Sequence, residues 1–385
     1  MEAALAAIRA RDGELNAFVT VREEAAEEDG IPLAVKDLFD TAGLRTTYGS
    51  ALFADHVPDR TASAVARLVD AGYVIVGKTG LHEFAYGITS ENEHFGDVRN
   101  PLDPGRRPGG SSGGSAAALA AGMADAALGT DSGGSIRIPA ACCGVVGFKP
   151  TFGRTPLDGV FPLAPSFDHG GPMARTVAEC VPLAAALDLG LELQEVGLGD
   201  LRVGVAWTGL AAPLVRARVE EAAARFGTVE LVGFPFPEGV YPVFMREAAD
   251  VHRERFAEHR DRYGTNVRAK LDRCLAVTDE AVEGALVARE RYRAAALEAL
   301  GDLDLLLAPT LTHVAPPVGI PELELREEAI RLTFPFNTLG WPALALPCGP
   351  AEDGLPASVS VVARPGADGL VLAAGLGLER DRSPV

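Results

Sequence analysis

The sequence predicts an α/β protein: a single α/β/α domain with a large mixed central sheet covered by helices. Three observations carry that expectation. Short apolar runs of strand length recur along the whole chain, and longer amphipathic stretches of helical period alternate with them. No Pro-, Ser- or charge-rich linker interrupts the 385 residues. A hydrophobic content of 48% with 23% charged residues is that of an ordinary globular protein with a sizeable core.

Taken in order, "IPLAVKD" (31–37) and "YVIVG" (73–77) read as buried strands, with a helix from Thr61 to Ala71 between them. Thr61 supplies the N-cap and Gly72 the residue past its end. The stretch 108–135, "PGGSSGGSAAALAAGMADAALGTDSGGS", has the Gly/Ser clusters of a flexible tether. A tether, however, does not enclose apolar elements. Ala116 to Ala121, with Ser115 as N-cap, reads as a helix, and Ala124 to Leu128 as a strand through the core. The two clusters are therefore turns at the ends of buried elements, where glycine lets backbone N–H groups approach a ligand closely. Ile136 onward, with Pro139 in the first turns, opens another helix. Further strands are expected at "TVELVGF" (228–234), "LDLLLAP" (303–309), "PALALP" (342–347) and "ASVSVVA" (357–363), with covering helices around 212–226, 243–260 and 279–300.

Charge and composition exclude several classes. A net charge of −18 disfavours nucleic acid and anionic membrane surfaces, both of which need basic patches. The first residues, "MEAALAAIRARDGELNAF", lack the basic-then-apolar order of a secretory signal, and no apolar run approaches the roughly 18 residues that span a bilayer. A cytoplasmic protein is expected. Five scattered cysteines, Cys142, Cys143, Cys180, Cys274 and Cys348, fit reduced, mostly buried thiols.

Several familiar motifs nearly match and fail. Gly109 and Gly114 have P-loop spacing, but Ser115 stands where the phosphate-binding lysine must be. The zinc-protease pattern starts at His82-Glu83, yet Tyr86 occupies the second ligand position, so no metal is expected there and His82 reads as a satisfied or surface histidine. "GGSSG" (109–113) formally fits a nucleophile elbow, which requires a buried strand before it. "DVRNPLDPGRRP" is instead a polar loop, and Asp168-His169, the tempting triad partners, read as a loop feature.

Only four of the 35 basic residues are lysines: Lys36, Lys78, Lys149 and Lys270. A lysine in a buried strand invites a chemical explanation, because it can lose its proton whereas arginine cannot. Desolvation lowers a lysine pKa and lets it serve as a general base for a serine. Asp37, the next residue, points to the opposite face of a strand and need not hold Lys36 protonated. Lys78 in "VGKTG" and Lys149 in "GFKPT" sit beside turn residues and read as structural.

Together, "GIPLAVKDLFDTAGLRTT", "PGGSSGGSAAALAAG" and "GTDSGGSIRIPAACCGVVGFKPTFGR" resemble the hallmark segments of the amidase signature family, closely over about residues 30–177. The likeness continues more loosely through "LAPTLTHVAPPVG", "FPFNTLGWPALALPCG" and the tail. The resemblance implies the amidase signature fold, with a catalytic core of about 30–177 plus 302–385 and a more variable, helix-rich region of about 185–300. It implies hydrolysis of an amide C–N bond through a Ser–cis-Ser–Lys triad, with Ser135 the nucleophile, Ser111 the serine in a cis peptide and Lys36 the base. The backbone N–H groups of Ser132, Gly133 and Gly134 can converge on a developing oxyanion. Ser112 and Arg137 are expected to support that geometry. The mechanism requires no metal or organic cofactor, and the partner is a small-molecule amide.

The chain departs from the family in a short connection, "REEAAEED", before the lysine strand, and in "LPASVSVVARP", which lacks a Gly-Leu-Gln-like stretch. Two rival readings follow. One is the glutaminase subunit of a tRNA-dependent amidotransferase, against which "FPLAPSFDHGGPMAR" and the short chain favour a free-standing amidase. The other is a catalytically inactive binding protein on the same scaffold. Substrate-binding residues stay unassigned, with pocket walls expected from 82–95, 152–170 and 309–340. Phe84, Tyr86, Phe161, Phe167, Phe334 and Trp341 are apolar candidates there, each equally explicable as core. A homodimer is common in such enzymes, and the oligomeric state is open.

Overall fold

The apolar runs become strands β1 (Phe18–Val21), β2 (Ile31–Lys36), β3 (Tyr73–Thr79), β4 (Ala126–Asp131), β5 (Val146–Lys149), β6 (His169–Ala174), β7 (Arg202–Val205), β8 (Thr228–Leu231), β9 (Leu305–Pro309), β10 (Ala343–Pro350) and β11 (Pro356–Val362). This is a computed structural model, and it describes residues 1–188 and 190–380. The strands assemble into one mixed sheet in the order β1-β3-β2-β4-β6-β5-β10-β11-β9-β7-β8. Parallel blocks, β3-β2-β4 and β9-β7-β8, flank an antiparallel centre. The expected α/β/α domain with a mixed sheet is what forms.

Strand alternation sorts the side chains into two cores. Leu33, Val35, Ile75 and Leu128 face one layer, in a cluster with Val65 and Leu68 of the helix Ser63–Asp70, Leu183 of Val177–Leu187 and Leu372 of Asp368–Arg380. Ala34, Val76 and Ala127 face the other, against Ala116, Ala117 and Ala118 of the helix Gly113–Ala120. Methyl-sized side chains on both partners bring that helix close to the sheet.

Several boundaries differ from expectation for identifiable reasons. The cap position of Gly113–Ala120 is Ser112 and not Ser115, and Ser115 Oγ instead contacts Thr79 Oγ1 and donates to the Leu128 carbonyl. Thr61 lies one residue before the cap of Ser63–Asp70 and accepts from the Ala42 N–H. The strand expected over 228–234 is β8, exposed throughout because it is the sheet's edge. Strands β1, β5, β6 and β7 do not appear among the expected ones; β6 reads "HGGPMA", a turn composition, yet all six residues are buried. Lys78 and Lys149 lie at the carboxyl ends of strands β3 and β5, beside the residues that end them. Among the described residues, no helix is long and apolar enough to cross a membrane.

Candidate active site

Strands β2 and β4 run parallel and adjacent, with Val35 opposite Leu128, so their carboxyl ends lie side by side. In open α/β sheets that end is where ligands bind. Lys36, the last residue of β2, shares the face of Ala34 and points under the alanine helix. The first cluster of glycines and serines is the entry to that helix, and its Gly110–Ser111 peptide is cis. A Cβ on Gly110 would lie 2.7 Å from the Ser90 backbone nitrogen, so only glycine fits this approach.

Lys36 is fully buried, and its Nζ lies 2.7 Å from both Ser111 Oγ and Thr130 Oγ1. Burial pulls its ammonium down to about 7, against the opposing pull of Asp131 and Asp168. Asp37 does lie on the other face, where its carboxylate accepts from the Thr47 N–H and hydroxyl and pairs with Lys78 at 3.5 Å.

The second cluster follows β4. Asp131 is buried, and burial would raise its carboxyl, but the Arg137 guanidinium grips it through Nε at 3.0 Å and through a second nitrogen at 2.9 Å, which holds it well below the usual range. Arg137 also donates to Thr333 O and Asn337 Oδ1, and Asn337 donates back to Asp131. Asp131 accepts from the N–H groups of Gly134 and Ile136. It thereby folds the Ser132–Ser135 turn around itself. Gly134 has φ +130°, and a Cβ there would lie 2.3 Å from Thr333 Oγ1. Because the Gly134 N–H is committed to Asp131, the three donors expected for an oxyanion reduce to Ser132 and Gly133, whose N–H groups have no protein acceptor among the described residues.

Other expected members fall nearby. The Ser112 N–H donates to the Ser135 carbonyl at 3.2 Å, tying the two clusters together, and Ser112 Oγ donates to Thr130 O. Ser132 Oγ donates to Asp168 Oδ1 at 2.5 Å. Asp168 also accepts from the Leu163 and Ala164 N–H groups and so closes the loop before β6, as a loop feature, whereas His169 is the first residue of that strand. His82 is buried and satisfied, its Nε2 lying 3.1 Å from Asn266 Oδ1.

Ser135 faces a space of about 20 Å3 shared with Ser132, Gly133, Arg326, Tyr241 and Phe334. A second cavity of about 320 Å3, lined by Phe161, Pro165 and Asp168, shares Ser132 and Leu163 with the first. Of the apolar candidates, Phe161 and Phe334 reach these cavities, whereas Phe84, Tyr86 and Phe167 pack in one core cluster and Trp341 in another. The expected ranges contribute Ala85, Leu163 and Ile330, but Tyr241 and Phe244 come from outside them. Sequence reasoning passed over Thr130 and Asp131, although both lie inside the quoted "GTDSGGS". It also passed over Thr333, Asn337 and Arg326, for which no local signal exists.

A buried lysine–serine contact beside a glycine-lined serine on a mixed α/β sheet is an arrangement that suits a serine hydrolase. Comparison narrows this. The chain matches the Amidase family over residues 1–189 and 212–372. It is 38% identical to AtzE of Pseudomonas sp. (strain ADP), which belongs to 1-carboxybiuret hydrolase, with 97% of this chain and 93% of the relative covered. It is 37% identical to a glutamyl-tRNA(Gln) amidotransferase subunit of Thermus thermophilus, over 98% and 92% respectively. A crystal structure of an amidase superposes with a TM-score of 0.89 at 38% identity, over 98% of this chain and 94% of the other. The protein belongs to the amidase signature family and is an amidohydrolase.

Proposed function

We propose that Lys36, Ser111 and Ser135 perform the chemistry as a relay. The observation that carries this reading is the 2.7 Å contact between Lys36 Nζ and Ser111 Oγ in a fully buried setting. A neutral amine keeps two N–H groups and one lone pair; Thr130 Oγ1 takes one N–H and the lone pair faces Ser111. Lys36 then accepts the Ser111 proton as Ser111 accepts that of Ser135. Ser135 Oγ forms a bond to the amide carbon, and the carbonyl pair moves onto oxygen, opposite the Ser132 and Gly133 N–H groups. Ser111 returns the proton to the leaving nitrogen as the C–N bond breaks, and water resolves the acyl-enzyme by the reverse relay.

The substrate is a small-molecule amide, for which the paired cavities offer room. The buried thiols of Cys142, Cys143, Cys180 and Cys274 support a reducing, cytoplasmic setting. The test is ammonia release by the purified chain from a panel of primary amides that includes glutamine, beside Ser135→Ala. Turnover lost in the variant is expected; equal turnover in both would exclude Ser135.

A second reading, in which the chain is one component of a larger amidotransferase, has in its favour the likeness to the Thermus thermophilus protein. Turnover of glutamine alone, and only with the other components added, would select it.

A further inference from the structure

Arg326 stands out in the space that Ser135 faces. It belongs to the helix Glu322–Ile330, is 13% exposed, and with Tyr241 supplies the polar part of a wall otherwise formed by Ile88, Leu163, Phe334 and similar side chains. A guanidinium carries five N–H donors in a planar fork. One nitrogen donates to Tyr241 OH at 2.8 Å and another reaches Glu322 Oε1 only at 3.4 Å. Glu322 is otherwise engaged: Lys270 Nζ holds its Oε2 at 2.6 Å, Asn266 donates to the same oxygen, and the Ile88 N–H donates to Oε1. Among the described residues the ion pairs of Arg326 and Lys270 both end on this one carboxylate. A nearly buried guanidinium and a nearly buried amine thus share a single carboxylate, and the guanidinium, the less tightly held of the two, borders the nucleophile.

The geometry points to a carboxylate subsite: the acyl part of the substrate carries an anionic carboxylate that Arg326 and the Tyr241 hydroxyl receive beside Ser135. The inference rests on Ser135 being the nucleophile. The space there holds roughly one water, so the carboxylate sits only a few bonds from the scissile carbonyl, with the remainder of the molecule toward the larger cavity. The substrate class is the half-amide of a short dicarboxylic acid or a close relative of it. Planar, bidentate recognition of a carboxylate is a task for which arginine is suited and lysine is not.

The experiment measures ammonia release by the purified full chain from oxamate, malonamate, succinamate and glutaramate, each beside its neutral diamide. The expected result is that the best acid exceeds its diamide in kcat/KM by about 100-fold, and that Arg326→Gln brings the ratio below about 10 while Arg326→Lys keeps part of it. Since Arg326→Gln removes a partner of Glu322 and can impair folding, a second measurement uses the wild type alone. Dicarboxylates should slow the labelling of Ser135 by a serine-reactive phosphonate at concentrations at least about 10-fold lower than diamides do. Diamides turned over as well as the acids, or an unchanged ratio in folded Arg326→Gln, would overturn the subsite while labelling of Ser135 leaves the nucleophile standing. Absence of both labelling and turnover would remove the nucleophile and the subsite together.

Discussion

All four lysines are buried: Lys36, Lys78 and Lys149 fully, and Lys270 to 4% exposure. Burial alone therefore does not single out a base; partners do. Lys78 lies beside the Asp37 carboxylate, Lys270 beside Glu322, and Lys149 donates to the carbonyls of Pro150 and Trp341. Lys36 alone meets two hydroxyls, one of them on Ser111. As a base it must be neutral, so acylation should rise with pH through about 7 and level off above it. Lys36→Arg and Lys36→Met should each lower kcat by about 100- to 10,000-fold, since neither can take the proton. A pH-independent acylation rate in the wild type, or an active Lys36→Arg, would contradict this. The rarity of lysine made these four positions legible in the sequence. Which of them meets the Ser111 and Thr130 hydroxyls depends on residues 75 and 94 positions away, and no local pattern reports that.

The helix Gly113–Ala120 positions Ser111 by being thin. Ala116, Ala117 and Ala118 are fully buried against Ala34 and Ala127. Enlarging one of these should lift the helix and carry Ser111 away from Lys36. Ala117→Leu is expected to cost about 1–3 kcal/mol of stability by overpacking. Its kcat should fall further than that of an equally destabilising change in the remote helix Asp368–Arg380, as paired thermal melts and kinetics would reveal; parity between the two would count against a positioning role. The apolar runs made β2, β3, β4, β9, β10 and β11 readable, to within a few residues at their ends. Strand β6 escaped because its pattern is that of a turn. Its glycines serve close packing instead, for a Cβ on Gly171 would lie 2.2 Å from the Phe148 carbonyl oxygen of neighbouring β5. The Asp131–Arg137–Asn337 knot was half visible: Arg137 stood out as structural, but its tie to Asn337 spans 200 residues.

Across the whole molecule, buried cationic groups set the pH dependence of stability. Burial lowers Lys36 and Lys270 to about 7 and Lys78 to about 8, and Lys149 falls as well, against an ordinary value of 10.5. Between those folded values and 10.5 the unfolded chain binds more protons than the native one, so stability rises with pH there and is lost as pH falls through the folded values. His82 and His252, pushed by burial down to about 3, add the same sign below 6.5. Two kinds of group act oppositely: the carboxyls of Asp12, Asp37 and Asp168, which burial raises, from the acid side, and buried thiols above about 9, Cys142 being raised to about 12. The melting temperature should therefore be higher at pH 8.5 than at pH 6.0 by about 2 °C or more at matched ionic strength; an equal or lower value would refute the balance. The burial of every lysine, while most arginines stay at the surface, has a practical side. A lysine-directed endoprotease or an amine-acylating reagent meets no accessible side-chain amine on the native protein. Cleavage by such a protease gauges global opening of the chain, while trypsin, which also reads arginine, reports on its surface loops.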